Sequence, residues 1–350
     1  MFENFAFTSY CVDINIWDNL KEAVKDYKKI LVVTGEKSFA AVKENLLKSL
    51  EGKEYAVKKY QGECSYEHAD DILKETYDKS FDLVIGAGGG KAIDTAKITA
   101  SKLKADMFAL PTIASTCAGT SALSVVYNND KTFKEFCIFD APPKKIFIDL
   151  ETIKKSPKRY LWAGIGDTLA KFYEVRLKHE YKLSKNMDVN FPSSMGIKIS
   201  GLCRDMIIAN GVSAYYSDEI NEGFKKVVLT IIVNTGMVSN LVDEFLNGAV
   251  AHSVFYGLTE LPRIEKEHLH GEVVAFGILV QLLMEGRENE YKELIPFYEK
   301  MKFPMKLTDV VIIEEFLEKE KEVINGIVTG PDLVNFDFNM ENVKDVMFSM

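Results

Sequence analysis

Short apolar runs alternate with helical patterns over the first 150 residues of this 350-residue chain. Apolar runs bounded by turn residues are typical of buried parallel strands, and their alternation with helices is typical of a doubly wound sheet. A hairpin-like excursion is predicted at 127–140, with its turn at 128–130. The predicted strands are 28–34, 55–60, 81–85, 108–110 and 145–150, and the predicted helices between them are 38–50, 68–77 and 92–103.

From residue 151 onward the strand pattern gives way to apolar residues spaced three and four apart, which predict helices. The predicted helices are 160–180, 196–209, 219–245, 249–257, 271–286 and 310–324. The sequence therefore predicts two domains. One is a Rossmann-like α/β domain with a doubly wound parallel sheet at 1–150, and the other is an all-α domain at 151–350.

A glycine-rich segment, 86–91, joins the strand predicted at 81–85 to the helix predicted at 92–103. Glycines let the backbone approach a ligand closely, and the N–H groups at a helix start attract an anion, so the segment suits a pyrophosphate. No Ser or Thr follows Lys91, which excludes a P-loop, and Lys91 takes the place of the last glycine of G-x-G-x-x-G. A turn that merely connects strand and helix remains the alternative.

Polar residues around this segment favour a ligand. Asp94 and Lys97 stand on the first turns of the predicted helix, and a set rich in small hydroxyl residues follows the next strand at 111–116. Carboxyl ends of parallel strands are where α/β sheets bind ligands.

Composition and charge limit the class of protein. Hydrophobic residues make up 47% of the chain and charged residues 27%, as in an ordinary soluble protein, and the net charge of −9 argues against nucleic-acid or anionic-membrane partners. The five cysteines are scattered without a C-x-x-C pair, which favours reduced thiols and a cytoplasmic location. The first ten residues do not form a signal peptide, and the apolar stretch 227–246 is too polar to span a bilayer.

Five sequence blocks resemble the metal-dependent alcohol dehydrogenases of the iron-containing type, in the glycerol dehydrogenase branch. They are GGGKAIDTAK at 88–97, PTIASTCAGTSALSVVY at 111–127, GDTLAK at 166–171, AHSV at 251–254 and HGEVVAFG at 270–277. The resemblance implies a dehydroquinate synthase-like architecture and hydride transfer between NAD or NADP and a small alcohol or polyol, or its aldehyde or ketone. It also implies one divalent metal and a homo-oligomer.

The resemblance assigns two sets of cofactor-binding positions. One holds the phosphates and the adjacent ribose: Gly88, Gly89, Gly90, Lys91 and Asp94. The other lines the rest of the cofactor's path: Thr112, Ser115, Ser121, Leu123 and Tyr127.

The resemblance also assigns three metal ligands, Asp167, His252 and His270, through which the metal would act in catalysis. Taken singly, an Asp near a helix start is usually a cap, and a His beside an apolar helix is usually structural. One carboxylate and two imidazoles leave the open position that catalytic zinc requires, and the same set suits iron(II). Zinc is the first expectation. Glu272 is expected to support the turn at His270 rather than to bind the metal, and His268 is expected either to support the site or to be merely exposed.

Three departures from the glycerol dehydrogenase pattern concern cofactor and substrate. Gly35 stands where an acidic residue would bind the ribose 2′-OH, so NADP is an option, with Lys37 and Ser38 near a 2′-phosphate. Glu36 could serve the NAD role if the register shifts. At the substrate positions, Cys117 replaces an Asp and Phe255 replaces a second polar histidine. Both changes predict a less polar pocket and a less hydroxylated substrate than glycerol.

Rival functions share parts of the pattern. A glycerol-phosphate dehydrogenase or a non-redox sugar-phosphate cyclase of the dehydroquinate synthase type would have the same fold, but each needs a basic phosphate pocket. The cyclases typically carry Glu as first ligand, where this chain has Asp167. A non-catalytic nucleotide-binding protein is the rival from another class, and the intact ligand set argues against it.

Overall fold

The computed structural model describes residues 8–60, 62–76, 80–128 and 132–350. The chain divides into two compact units, Met1–Lys158 and Arg159–Met350. The domain boundary predicted between 150 and 151 falls shortly before this division and stays a prediction. The fold class is confirmed: the first unit contains a parallel sheet with helices, and the second is helical.

The first unit is organised around a six-stranded sheet in the order β1-β8-β5-β4-β2-β3, in which all pairs are parallel. Its strands are β1 Ser9–Asp13, β2 Lys29–Thr34, β3 Glu54–Lys59, β4 Leu83–Gly88, β5 Asp106–Pro111 and β8 Lys145–Asp149. Strand β4 is buried along its whole length and β2 along nearly all of its length. This burial explains why both strands read as continuous apolar runs.

Five helices accompany this sheet: α1 Trp17–Ala23, α2 Glu36–Ser49, α3 Tyr66–Glu75, α4 Gly90–Leu103 and α5 Leu150–Lys155. Strand β1 and helices α1 and α5 were not predicted. The excursion after β5 is an antiparallel hairpin of β6, Leu123–Tyr127, and β7, Phe133–Ile138. A hairpin was predicted here, but its first strand begins at Leu123, before the predicted range 127–140, and positions 129–130 of the predicted turn lie outside the described residues.

The strand predicted to end at Ile85 continues to Gly88, so the glycine turn is shorter than predicted. Gly86 pairs with β2 and β5, and Gly88 pairs with β5. A Cβ on Gly86 would lie 2.7 Å from the Cβ of Ala96 on α4, and a Cβ on Gly88 would lie 2.7 Å from the Cβ of Ala92. The missing side chains therefore let α4 pack directly on β4. Only Gly89 remains between the strand and the helix, which begins at Gly90.

The second unit is built from α6 to α16, with no strand among its residues. The helices are α6 Lys158–Ser184, α7 Phe191–Tyr216, α8 Glu222–Leu229, α9 Thr235–Leu241, α10 Val250–Leu258, α11 Pro262–Glu267, α12 His270–Met284, α13 Glu288–Met301, α14 Ile313–Glu318, α15 Glu320–Val328 and α16 Val343–Ser349. The helix predicted at 219–245 is interrupted by a π-helical turn, Thr230–Asn234, and the one predicted at 310–324 breaks at Lys319. Helices α11, α13 and α16 were not predicted.

The core of the second unit lies around α10 and α12, where Val254, Val273 and Phe276 are fully buried. Helix α12 has eleven buried residues among its fifteen, so its apolar pattern extends around the whole helix. Within the described part of the chain, no helix combines the length and the apolar character needed to cross a membrane.

Candidate active site

The predicted nucleotide-binding glycines lie at the point where the strand order of the sheet reverses. Strand β2 pairs with β3 on one side and with β4 on the other. The chain leaves β2 toward β3 and leaves β4 toward β5, in opposite directions along the sheet. Gly35 directly follows β2, and Gly88 to Gly90 end β4 and begin α4. Open α/β sheets bind ligands outside the carboxyl ends of the strands at such a switch point.

The N-terminus of α4 is suited to an anion. The first backbone hydrogen bond of the helix runs from the Ile93 N–H to the Gly89 carbonyl at 3.1 Å. The N–H groups of Gly90, Lys91 and Ala92 therefore have no partner within the helix. No side chain caps this end, and no acidic residue lies in the first turn. The helix therefore presents unneutralised positive dipole.

The glycines of the turn also have a packing role that is independent of any ligand. A Cβ on Gly89 would lie 2.7 Å from Cδ1 of Ile113, and one on Gly90 would lie 3.0 Å from Oγ1 of Thr116. The φ of Gly89 is −83°, which any residue adopts. Close approach, rather than backbone strain, thus explains the glycines.

Two of the predicted cofactor-binding side chains lie together beside the turn. The Lys91 ammonium forms a 2.5 Å ion pair with Glu63 and lies 5.7 Å from the centre of the Tyr127 ring. Thr112 is buried at the end of β5, and its N–H donates to the Gly88 carbonyl at 3.0 Å. Ser115 and Cys117 follow in the same loop and are half-buried.

Asp94 points into the interior of the first unit. Its carboxylate forms a 2.8 Å ion pair with Lys97 and accepts from the Val125 N–H at 3.3 Å. Burial raises the pKa of Asp94, and Lys97 opposes that shift. Lys97 also donates to the carbonyls of Ser121 and Leu123. The structure thus shows Asp94, Ser121 and Leu123 held in one buried network, and their cofactor contacts stay predictions.

The three predicted metal ligands, in contrast, converge in the second unit. Asp167 lies on α6, His252 on the first turn of α10, and His270 begins α12. The Asp167 Oδ1 lies 3.5 Å from His252 Nε2 and 3.3 Å from His270 Nε2, and one ligand atom from each residue lies within 4.8 Å of the others. His270 is the most exposed of the three side chains, at 34%.

Glycines at the helix crossings bring these ligands together. A Cβ on Gly271 would lie 1.9 Å from the Ala163 carbonyl oxygen, and one on Gly166 would lie 2.3 Å from the Gly271 carbonyl oxygen. The backbones of α6 and α12 therefore touch one residue away from Asp167 and His270. Likewise, a Cβ on Gly277 would lie 2.4 Å from the Ala251 carbonyl oxygen, beside His252. The glycines in the GD and HG blocks thus set the distance between the ligand-bearing helices.

Glu174 completes the site and was not predicted from the sequence. Its fully buried carboxylate accepts from His252 Nδ1 at 2.6 Å and from the N–H groups of Ala249 and His252 at 2.9 Å each. An ionised carboxylate only accepts, so Nδ1 carries the proton and Nε2 faces Asp167. Glu174 stands two helical turns after Asp167, and this seven-residue spacing was the one signal available in the sequence.

Opposed charges keep this group ionised. Burial opposes the charge on His252, but Glu174 and Asp167 outweigh it and raise its pKa to about 10. Burial likewise opposes the charge on Asp167, and the two histidines hold the pKa of its carboxyl well below the usual range. The same balance, dominated by His252, lowers the pKa of Glu174. A charged His252 imidazole faces both carboxylates, with Nδ1 toward Glu174 and Nε2 toward Asp167.

The donor set fits a divalent cation. Metal–ligand bonds of about 2.1 Å at tetrahedral angles place neighbouring ligand atoms about 3.4 Å apart, close to the two separations at Asp167. A cation in the centre would replace the proton on Nε2 of His252, since neutral imidazole is the ligand form, while Nδ1 keeps its proton toward Glu174. Among the described residues, Asp167, His252 and His270 are the one group of three or more Cys, His, Asp or Glu side chains close enough together to hold a metal ion.

The neighbouring residues take supporting positions. Glu272 accepts from the Leu269 N–H at 3.1 Å and forms a 2.9 Å contact with His268 Nδ1, so both side chains fix the start of α12. The Phe255 ring lies edge-on to the His270 ring, with 4.3 Å between the ring centres. Phe255 therefore places an apolar ring against His270, the most exposed of the three ligands.

Comparisons with known proteins identify the family of this chain. The sequence model of the iron-containing alcohol dehydrogenase family matches residues 8–149. A glycerol dehydrogenase from Thermotoga maritima is 33% identical, with 90% of this chain and 88% of the relative covered. Hydroxycarboxylate dehydrogenase A from Escherichia coli is 36% identical over 72% of this chain and 69% of its own. The crystal structure of a probable glycerol dehydrogenase from Sinorhizobium meliloti superimposes with a TM-score of 0.86 at 26% identity, covering 98% of this chain and 97% of that one.

The fold and these relatives define a metal-dependent oxidoreductase that acts on the CH–OH group of alcohols or polyols. The chain belongs to the iron-containing alcohol dehydrogenase family, in its glycerol dehydrogenase branch. The resemblance read from the five sequence blocks is thereby confirmed. The family works with a nicotinamide nucleotide and a divalent metal on small alcohols and polyols.

Proposed function

We propose that this enzyme interconverts a small, sparingly hydroxylated alcohol and its carbonyl compound, with zinc at Asp167, His252 and His270 and with NADP as the preferred nucleotide. The observation that carries the proposal is the convergence of one carboxylate oxygen and two imidazole nitrogens, with Glu174 fixing the tautomer of one of them. Two nitrogens and one oxygen form a ligand set typical of catalytic zinc, in which a fourth position stays open.

A divalent cation at this site would supply Lewis acidity, which lowers the pKa of a hydroxyl group in the open position and polarises a carbonyl. The residues of the chain do the rest. Glu174 keeps the proton on Nδ1 of His252, so that Nε2 offers its lone pair inward. Asp167 supplies the negative charge that offsets the cation. The edge of Phe255 limits water on the exposed side of His270.

The end of β2 supports a preference for NADP. Gly35 has no carboxylate for a ribose 2′-OH, and the adjacent Glu36 is ion-paired with Lys59. The Ser38 hydroxyl accepts from the Gly35 N–H at 2.9 Å and lies 3.1 Å from the Thr34 hydroxyl. Within this small polar turn the one acid, Glu36, is therefore ion-paired, and Lys37 is exposed and could meet a 2′-phosphate.

The substrate is expected to carry fewer hydroxyl groups than glycerol. Phe255 presents an aromatic edge where a polar histidine would bind a hydroxyl, and Cys117 replaces a carboxylate. A pocket without these hydrogen-bonding partners gives little preference to a substrate with additional hydroxyl groups. The family is not restricted to glycerol, since one relative is a hydroxycarboxylate dehydrogenase. A cytoplasmic location stays a prediction, supported by five free cysteines.

The test combines substrate profiling with metal analysis. Alcohols, diols, hydroxy acids and aldehydes are assayed with NAD(H) and NADP(H) through absorbance of the reduced nucleotide, and bound metals are measured by mass spectrometry. His270→Ala should lose both the bound cation and at least a thousandfold in turnover, because Lewis acid catalysis is worth several kcal/mol.

His268→Ala is the matched control, because it removes an imidazole two residues away that contacts Glu272 rather than Asp167. It should keep the cation. A His270→Ala enzyme with full metal content and full activity would contradict the ligand assignment. A wild-type enzyme that turns over glycerol best with NAD would contradict the substrate and nucleotide assignments while leaving the metal centre intact.

A further inference from the structure

Helix α7 carries apolar side chains on its outward face as well as on its buried face. Large apolar side chains are exposed along it, with Phe191 at 75%, Leu202 at 43% and Tyr216 at 50%. Leu183 and Met187, which precede the helix, are exposed at 57% and 43%. Scattered exposed apolar residues are ordinary, but a set concentrated on one helix and its approach marks an interaction surface.

The outward residues follow the spacing of a helix-pairing seam. The positions recur at alternating steps of four and three residues: Phe191, Met195, Lys198, Leu202, Asp205, Ala209, Val212 and Tyr216. All eight are exposed or half-buried, whereas Gly196, Cys203 and Ile207 on the opposite face are buried. A seam of this period pairs with another helix over several turns.

The seam is complementary to itself when it is reversed. Lys198 stands three residues before Gly201, and Asp205 stands three residues after Leu202. In an antiparallel pair centred on Gly201 and Leu202, each Lys198 therefore faces Asp205 of the other helix. In this register Phe191 of each helix faces Val212 of the other, and Tyr216 lies beyond the start of the other helix. An unrelated partner would not require this symmetry, whereas a twofold pair of identical surfaces does.

Two local features suit this pairing. A Cβ added to Gly201 would meet nothing within 4 Å, so the backbone is open to a close neighbour at the centre of the seam. Lys198 is exposed, and among the described residues it forms no ion pair. Asp205 forms a 2.7 Å ion pair with Arg204. Its carboxylate has further lone pairs, so it can accept from a second cation as well.

We propose that α7 is a subunit interface, in which the helix pairs antiparallel with α7 of a second copy about a twofold axis near Gly201 and Leu202. The occupant of the apolar seam is thus another molecule of the same chain. Reciprocal Lys198–Asp205 pairs set the register, and the side chains of Phe191 and Leu202 are buried.

The test is a charge-reversal cycle on the full-length enzyme, with mass measured by light scattering and association by analytical ultracentrifugation. Lys198→Asp places like charges opposite each other and should weaken self-association at least tenfold, as should Asp205→Lys. The double variant restores opposite charges and should return association to within a few-fold of wild type. Leu317→Asp, an exposed apolar position on α14, is the control and should leave the mass unchanged.

Each outcome bears on the interface alone. Weakened single variants with a restored double variant support the antiparallel register. A wild-type monomer at high concentration, single variants of unchanged mass, or a double variant that stays dissociated although circular dichroism shows it folded would overturn the proposal. Unchanged masses would also show that any assembly uses another surface or that another protein covers α7.

Discussion

The glycine turn of the first unit and the metal centre of the second use glycines in different ways. In the turn, Gly88 lets α4 lie against β4, and Gly89 and Gly90 let the loop after β5 approach, leaving backbone N–H groups to bind a ligand. In the metal centre, Gly166 and Gly271 bring together helices that are distant in sequence, and side chains next to them provide the ligands. One site is made by local backbone, and the other depends on tertiary packing.

This difference predicts different sensitivities. A substitution in the turn displaces atoms that α4 and the following loop can partly accommodate. A substitution at a helix crossing separates the ligands themselves. Metal affinity should therefore respond to changes that touch no ligand.

Gly271→Ala is expected to have the largest effect. The new Cβ would lie 1.9 Å from the Ala163 carbonyl oxygen, so α6 and α12 must separate near Asp167 and His270. Overpacking of this kind costs about 3 kcal/mol of unfolding free energy. Zinc affinity should fall by more than a hundredfold, measured by competition with a fluorescent chelator.

Gly201→Ala is the control for adding a methyl group to a helical glycine, since its Cβ meets nothing within 4 Å. It should leave metal affinity unchanged. If Gly271→Ala binds zinc as wild type does, the helix crossing does not set the ligand geometry.

Glu174→Gln should have the next largest effect. The amide cannot provide the negative charge that holds the proton on His252 Nδ1, and it brings N–H groups toward the N–H groups of Ala249 and His252. Loss of such a partner typically lowers metal affinity by about ten- to a hundredfold. Glu180→Gln, on the exposed part of the same helix, should leave the affinity unchanged. Equal zinc affinity in the two variants would show that Glu174 is only structural.

The sequence predicted the local features well and the tertiary ones poorly. Buried parallel strands such as β2 read directly from apolar runs, because both faces are covered. Strand β1, with exposed and half-buried residues, lacks that signal. The break at Lys319 was missed because the apolar spacing continues across it. Glu174 was missed because nothing in the sequence shows which acid contacts His252.

Gly35→Asp is expected to have an intermediate effect, on the nucleotide preference of the first unit. A carboxylate at the end of β2 can accept from a ribose 2′-OH and repels a 2′-phosphate, so the ratio of kcat/KM for NADP to that for NAD should fall about tenfold or more. Its Cβ would lie 3.1 Å from Ser38 Oγ and from Tyr60 Cε1, and these side chains must yield slightly. Initial rates with both nucleotides measure the ratio. An unchanged ratio would show that Gly35 does not face the ribose.

Lys178→Met is expected to have the smallest effect, on the pH dependence of stability. It tests how α6, which also carries Asp167 and Glu174, tolerates a buried charge. Lys178 lies one turn beyond Glu174, is 2% exposed, and points its ammonium at the Asp332 carbonyl and the Phe245 ring. Burial lowers its pKa to about 8, below the 10.5 of an unburied lysine. Between these values the unfolded chain binds more protons than the folded chain, so wild-type stability should rise with pH.

The rise should be roughly 1 kcal/mol per pH unit between pH 8 and pH 9.5 from this group, and it should be missing in Lys178→Met. Other titrating groups contribute equally to both proteins, so the difference between their urea unfolding free energies isolates Lys178. Below roughly pH 7 Lys178 is protonated in both the folded and the unfolded chain, and the difference should be constant. A difference that is flat across the whole range would mean that the ammonium stays charged beside Phe245 and Asp332, and that α6 accommodates a buried cation without the penalty that its burial implies.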